Sequence, residues 1–204
     1  MYKKGIIILG TIGLVLSSCI KHEVIPAPVP TVDLNSHFYG VIDGTPVELT
    51  ENVLGYTNVS TKAKIILPPP SFSSAVYYSQ MSSPEVATSI KVGMGSVNWD
   101  ASLAPEPTLN SFNAFFVAND LPQYSTNGSS GFEVTYRDGF GSEWKSLETS
   151  PNAQDVQFTG IVQDSDSTGD YSLFTCYFNC YAYNFDQSDS VKIEDAVYQG
   201  WFQR

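Results

Sequence analysis

The sequence predicts a mainly β protein, an antiparallel β-sandwich with one short helix, preceded by a signal peptide and a flexible Pro-rich tether. Three observations lead there. Short runs of alternating apolar and polar residues are separated by turn residues, as half-buried strands require. Charged residues make up only 15% of the chain and aromatic residues 13%, a balance poor for long surface helices and good for pleated, half-buried surfaces. One segment, 171–183, is apolar on both faces, which fits a central strand covered on each side.

The chain opens with Lys3 and Lys4, an apolar run over 5–16, and then Ser17, Ser18 and Cys19. A positive start, a short apolar stretch and small residues before a cleavage point make residues 1–18 a secretory signal, leaving Cys19 as the first mature residue. The run is well below the ~20 apolar residues that span a bilayer. Residues 19–35 carry Pro26, Pro28 and Pro30 at alternate positions, which favours extended polyproline II at ~3.1 Å per residue and makes this segment a tether. Residues 36–204 are enough for one hydrophobic core and read as a single domain.

Within that domain, 38–42 and 47–49 flank Asp43-Gly44, a pair suited to the positive φ angles of a type I′ hairpin turn, and Pro46 puts its strand at a sheet edge. Further strands are expected at 64–67, closed by Pro68 to Pro70, and at 75–81 and 89–97. Leu109, Phe112 and Phe116 fall at helical spacing after Thr108, a plausible N-cap, so 109–118 is the expected helix. Strands 132–137 and 143–147 flank Asp138-Gly139. Strands 155–163, 171–183 and 191–202 complete the set.

Function is less legible. The formal net charge of −11 leaves no basic surface for nucleic acid or for electrostatic binding of anionic lipid. With only His22 and His37, a Ser-His-Asp arrangement lacks material, and there is no phosphate-cradling glycine loop or histidine-rich metal motif. No catalytic residue is assigned, and a non-catalytic role is favoured. Cys176 and Cys180 pose a conflict. An exported chain with two such cysteines suggests a disulfide, yet four residues of regular strand separate Cα atoms by ~13 Å, beyond the ~7 Å bridging limit. Either the strand bulges near Phe178-Asn179 or both thiols are buried; geometry favours burial. Asp164, Asp166, Thr168 and Asp170 sit at alternate positions with Gly169 sixth, resembling the first half of an EF-hand loop and offering a weak Ca2+ site, although Thr175 stands where that family has its bidentate Glu. No other cofactor is expected. Tyr177, Tyr181 and Tyr183 share the second face of the 171–183 strand, and with Trp144 they are the candidates for stacking on a glycan, burial being the blander expectation. For Trp144 the hairpin loop decides: two or four residues turn it outward with Glu133, Thr135 and Arg137, whereas three turn it inward with Phe132, Val134 and Tyr136.

Leu16-Ser17-Ser18-Cys19 resembles the lipobox of bacterial lipoproteins. That resemblance implies diacylglycerol on Cys19 and attachment to a membrane through the N-terminal lipid. Ile20, where an Asp would argue for inner-membrane retention, implies the outer membrane, facing either periplasm or exterior. The proline tether, the Phe38-Tyr39-Gly40-Val41-Ile42-Asp43-Gly44 hairpin, the Asp138-Gly139-Phe140-Gly141-Ser142-Glu143-Trp144 segment and the closing 191–202 strand are similar in style to small Bacteroidota surface lipoproteins. That likeness implies an exported β-sandwich and lends no catalytic residue. The resulting expectation is a lipid-anchored envelope β-sandwich that binds or scaffolds an unknown protein or glycan partner. The first alternative is a glycan-binding accessory lipoprotein of an uptake system. A hydrolase with paired carboxylates ranks below both, because no pair is singled out.

Overall fold

The computed structural model describes residue 29 and residues 31–204; the signal and Cys19 lie outside the described residues. Among the described residues ten strands and one α-helix run in the order β1 (His37–Ile42), β2 (Thr45–Thr50), β3 (Thr57–Ile65), β4 (Ser73–Ser82), β5 (Ser89–Trp99), α1 (Leu109–Ala118), β6 (Phe132–Arg137), β7 (Glu143–Ser146), β8 (Asp155–Asp166), β9 (Gly169–Tyr183) and β10 (Ser190–Gln203). The pairing runs β2-β1-β10-β9-β7-β6-β5-β4-β3, with β8 also on β9, and every pair is antiparallel.

This continuous ladder folds into two layers because one edge of β9 is shared. Its residues 169–179 pair with β8, whereas only Ala182 and Tyr183 pair with β7, at Ser146 and Lys145. One layer is therefore β8-β9-β10-β1-β2, the other β7-β6-β5-β4-β3, and they join only at that corner. Inner faces obey the period-two alternation: Phe174, Cys176, Phe178, Cys180 and Ala182 from β9, Ile193, Tyr198 and Phe202 from β10, Tyr77 and Met81 from β4, Ile90, Val92 and Met94 from β5, all buried. At about 1.5–3 kcal/mol for each large apolar side chain fully buried, this aromatic-rich interior is the main force holding the layers together.

The local expectations mostly survive. Asp43 (φ 47°) and Gly44 (φ 78°) form the positive-φ hairpin turn, and Pro46 lies on the edge strand β2. Thr108 Oγ1 accepts the Ser111 backbone N–H at 3.2 Å, capping α1. Phe112 and Phe116 bury against Tyr77 and Phe202 and so close one end of the sandwich. The strand expected at 64–67 is different: β3 begins at Thr57 and ends at Ile65. Its inward positions, Asn58 and Ser60, are polar and hydrogen-bonded instead of apolar, so the alternation that marks other strands is missing.

Cys176 and Cys180 are free and buried on one face of an unbroken β9. The register shift in this region falls on β10, between Ile193 and Ala196, so β9 does not bend to bring the thiols together. Burial pushes the Cys176 thiol up, and pushes that of Cys180 up to about 12.

Residues 31–35, expected from the sequence to end the tether, and Ser36 at the start of the domain lie against the β8, β9 and β10 end of the first layer. Val32 N donates to Asp166 Oδ2 at 3.0 Å, Trp201 Nε1 to the Leu34 carbonyl at 3.1 Å, and Ser36 N to Glu51 Oε2 at 2.7 Å. The chain thus enters the domain beside the β8–β9 turn.

Candidate functional site

The outer face of β9 and the hollow at its C-terminal end are where the sequence candidates and the surface chemistry coincide. Alternation turns Tyr177, Tyr181 and Tyr183 away from the core. Tyr177 is exposed and stands in a transverse row, Gln157–Tyr177–Val197–Tyr39–Glu48, with exposed Tyr39 two strands away. Tyr181 is half-buried beside Lys192.

Tyr183 lies where β9 exchanges β8 for β7, and the four-residue β7 is too short to cover the loop beyond it. A pocket of about 190 Å3 opens there, lined chiefly by Glu143, Lys145, Tyr183, Asn184, Phe185 and Gln187. Its walls are fixed. The Tyr183 hydroxyl accepts from Asn152 Nδ2 at 3.1 Å. In the β9–β10 loop, Asn184 N donates to the Asp189 carbonyl, Gln187 N to the Asn184 carbonyl, and Asn184 Nδ2 to Ser188 Oγ. Gln187 holds φ at 58°, an uncommon conformation for a residue other than glycine. At the tip of this ordered loop the Phe185 ring is fully exposed. Glu143 and Lys145 pair at 3.3 Å on the facing wall. Phe140, also almost fully exposed, sits on the β6–β7 loop at the same end, since the Lys145↔Tyr183 register places both loops beyond the end of β9.

Trp144 does not belong to this surface, contrary to its place among the glycan candidates. The β6–β7 loop has five residues, Asp138–Ser142, and pairing Tyr136↔Trp144 turns the indole toward the core. Five has the parity of three, so the inward alternative applies. Asp138 holds the loop by accepting from Phe140 N and Ser142 N at 2.9 Å each and from Trp144 Nε1 at 3.2 Å.

The calcium reading is corrected as well. Asp164, Asp166, Thr168 and Asp170 form a tight hairpin with a two-residue turn, Ser167-Thr168, and the pairing Ser165↔Asp170 puts Asp170 on the face opposite to Asp164 and Asp166. Asp166 Oδ1 accepts from Thr168 N, Thr168 Oγ1 and Gly169 N, while Asp170 pairs with Arg204 and Ser165. Among the described residues no group of three His, Cys, Asp or Glu side chains could hold a metal ion.

A second hollow, of about 260 Å3, includes Tyr124, Glu148, Gln154 and Asp155 in its lining. It brings two carboxylates together, the requirement for the hydrolase alternative. Both are solvent-exposed, and each already accepts protein hydrogen bonds, Glu148 from Thr126 and Asp155 from Asn179 Nδ2. His37 pairs with Glu48 at 2.9 Å on the β1–β2 edge, away from either thiol.

No family model, curated protein or solved structure matches the chain. Sequence reasoning reached Tyr183 through strand alternation. It missed Phe185, whose signal was a lone aromatic residue inside the polar turn segment Asn184-Phe185-Asp186-Gln187-Ser188.

Proposed function

We propose that the chain is a lipid-anchored, non-catalytic binding module of a bacterial envelope, held by Cys19 and presenting the far end of β9 to its partner. The observation that carries this reading is the separation of the two ends. The incoming chain is bonded to Asp166 at the β8–β9 turn, and the Phe185 pocket lies at the other end of the 15-residue β9, about 45 Å away at ~3.3 Å per residue. A tether entering at one end leaves the other free to engage a ligand. The lipobox-like Leu16–Cys19 stretch and the likeness to Bacteroidota lipoproteins support attachment to the outer membrane. An exposed Phe on each of two loops at the pocket end supports recognition there, since exposed apolar side chains gathered at one end, unlike ones scattered singly, mark interaction sites.

The test uses the full-length protein in its own cells. Mass spectrometry of the native N-terminus should find acylated Cys19, and Cys19→Ser should leave an unprocessed, unacylated product. A photo-cross-linking residue at position 185 should capture a partner in intact cells, while one at Asn98, on the exposed face of β5, should not. An unchanged, fully membrane-partitioned Cys19→Ser product would overturn the anchor, and equal capture from both positions would overturn the site.

A further inference from the structure

We propose that the pocket between β7 and the β9–β10 loop binds the terminal ring of a neutral saccharide. This inference rests on the binding-module reading and names the ligand class of that same site. A pyranose has two apolar C–H faces and a rim of hydroxyl groups. Its site needs an aromatic wall for a face and mixed donors and acceptors for the rim. Both are present. Tyr183 supplies a ring in the lining and Phe185 a fully exposed ring at its rim that a sugar face can cover, and Gln187, Lys145 and Glu143 supply an amide, an ammonium and a carboxylate around them. At about 190 Å3 the pocket is smaller than the hollows that take drug-sized ligands, and it suits one small ring entering end-on.

Charge selects against acidic sugars. Lys145 is matched by Glu143 at 3.3 Å, and the net charge of −11 disfavours polyanions overall. Pre-organisation lowers the cost of binding a ligand that offers little apolar area, because little ordering remains to be done when it binds. The Tyr183 hydroxyl is anchored to Asn152, and the loop carrying Phe185 is closed by its own hydrogen bonds. The positive φ of Gln187 is local backbone strain of the kind that collects at ligand sites. Further rings of a chain would extend from the pocket along Tyr181 toward Tyr177, which face outward on the same strand.

Detergent-solubilised full-length protein is tested by affinity electrophoresis and glycan array against neutral polysaccharides, a polyuronate and a sulfated glycan. Retention by at least one neutral glycan is expected, with competition by the free monosaccharide that forms its terminal unit. Phe185→Ala should weaken that binding by about tenfold or more, while the melting temperature stays at the wild-type value, because the ring is fully exposed. Tyr177→Ala should weaken polymer binding but leave monosaccharide binding unchanged. Retention only by the anionic glycans, or neutral binding that Phe185→Ala leaves intact, would overturn the proposal. No retention by any glycan, together with a protein cross-linked at position 185, would also overturn it while leaving the binding module standing. No partner of either kind would remove both.

Discussion

Tyr198 on β10 donates its hydroxyl hydrogen to Asn58 Oδ1 on β3 at 2.7 Å, across 140 positions of sequence and between strands of opposite layers. Asn58 Nδ2 in turn donates to Ser79 Oγ at 3.1 Å, and Ser79 Oγ lies 3.0 Å from the Tyr198 hydroxyl, so three buried side chains form a closed ring of hydrogen bonds. The ring fastens β3 and β4 to β10 where neither layer offers a backbone ladder to the other. Every member has a partner, which is the condition for a buried polar cluster to favour one packing over others.

Tyr198→Phe should therefore destabilise the domain by about 1–3 kcal/mol, because Asn58 and Ser79 remain buried with one partner fewer. Tyr77→Phe is the contrast. The Tyr77 hydroxyl is buried without a hydrogen-bond partner among the described residues, so its loss should cost less than about 0.5 kcal/mol or raise stability. Urea denaturation of the two variants checks both. Equal losses would mean that the ring contributes nothing beyond the phenol's bulk.

The β9 thiols should be chemically silent. Burial raises both, that of Cys180 to about 12, so almost no thiolate exists at neutral pH. A thiol reagent at pH 8 should label neither Cys176 nor Cys180 in the folded protein and both after unfolding. Unfolded thiols ionise near their ordinary value of ~8.5 while the buried ones keep their protons, so unfolding releases protons above that pH and stability falls as pH rises toward 12. A denaturation midpoint that rises between about pH 8.5 and 10 would contradict this.

Gly131→Ala should destabilise by about 1–3 kcal/mol, since a Cβ there would run into the backbone carbonyl oxygen of Gln123, and that carbonyl is already held by Phe132 N at 2.8 Å. Backbone, unlike the end of a long side chain, cannot swing aside. Gly139→Ala is the matched control, with Thr88 Oγ1 at 3.7 Å as its nearest neighbour, and should stay within about 0.5 kcal/mol of wild type. Thermal melts of the two variants separate the explanations.

These residues show which parts of the fold the sequence could announce. β9 was readable because its alternation is dense and two-sided, and α1 because Phe112 and Phe116 keep helical spacing behind a capping Thr108. β3 was mostly missed because Asn58 and Ser60 occupy inward positions, and a polar side chain shows its value only when Tyr198, Ser79 and Gln203 arrive from distant segments. Trp144 turned on the parity of one loop, whose five-residue form Asp138 holds through three hydrogen bonds. The pocket was invisible for a related reason: it exists because β9 changes partners, a property of the topology and not of any segment.

Asp166 supplies the last prediction, because it ties the incoming chain to the domain. Hydrogen bonds from Thr168 Oγ1, then from the backbone N–H groups of Val32 and Thr168, hold its carboxyl down to about 2. A depressed carboxylate contributes its contact fully above the unfolded value of ~3.9 and loses it as pH falls through the folded value. The 31–36 strap should therefore stay bound at pH 4 and release as pH passes about 2. Trp201 reports the event, since its indole N–H is bonded to the Leu34 carbonyl of the same strap. In protein whose Trp99 and Trp144 are replaced by Phe, its fluorescence should shift with a midpoint near pH 2. In Asp166→Asn the released position should already hold at about pH 7, because one acceptor oxygen is replaced by a donor and cannot serve both the turn and Val32. Faster hydrogen exchange at Val32 in that variant, with the denaturation midpoint of the core unchanged, would fix the strap as a separate unit hinged at the β8–β9 turn. Unaltered exchange would show that Trp201 and Glu51 hold the segment without Asp166.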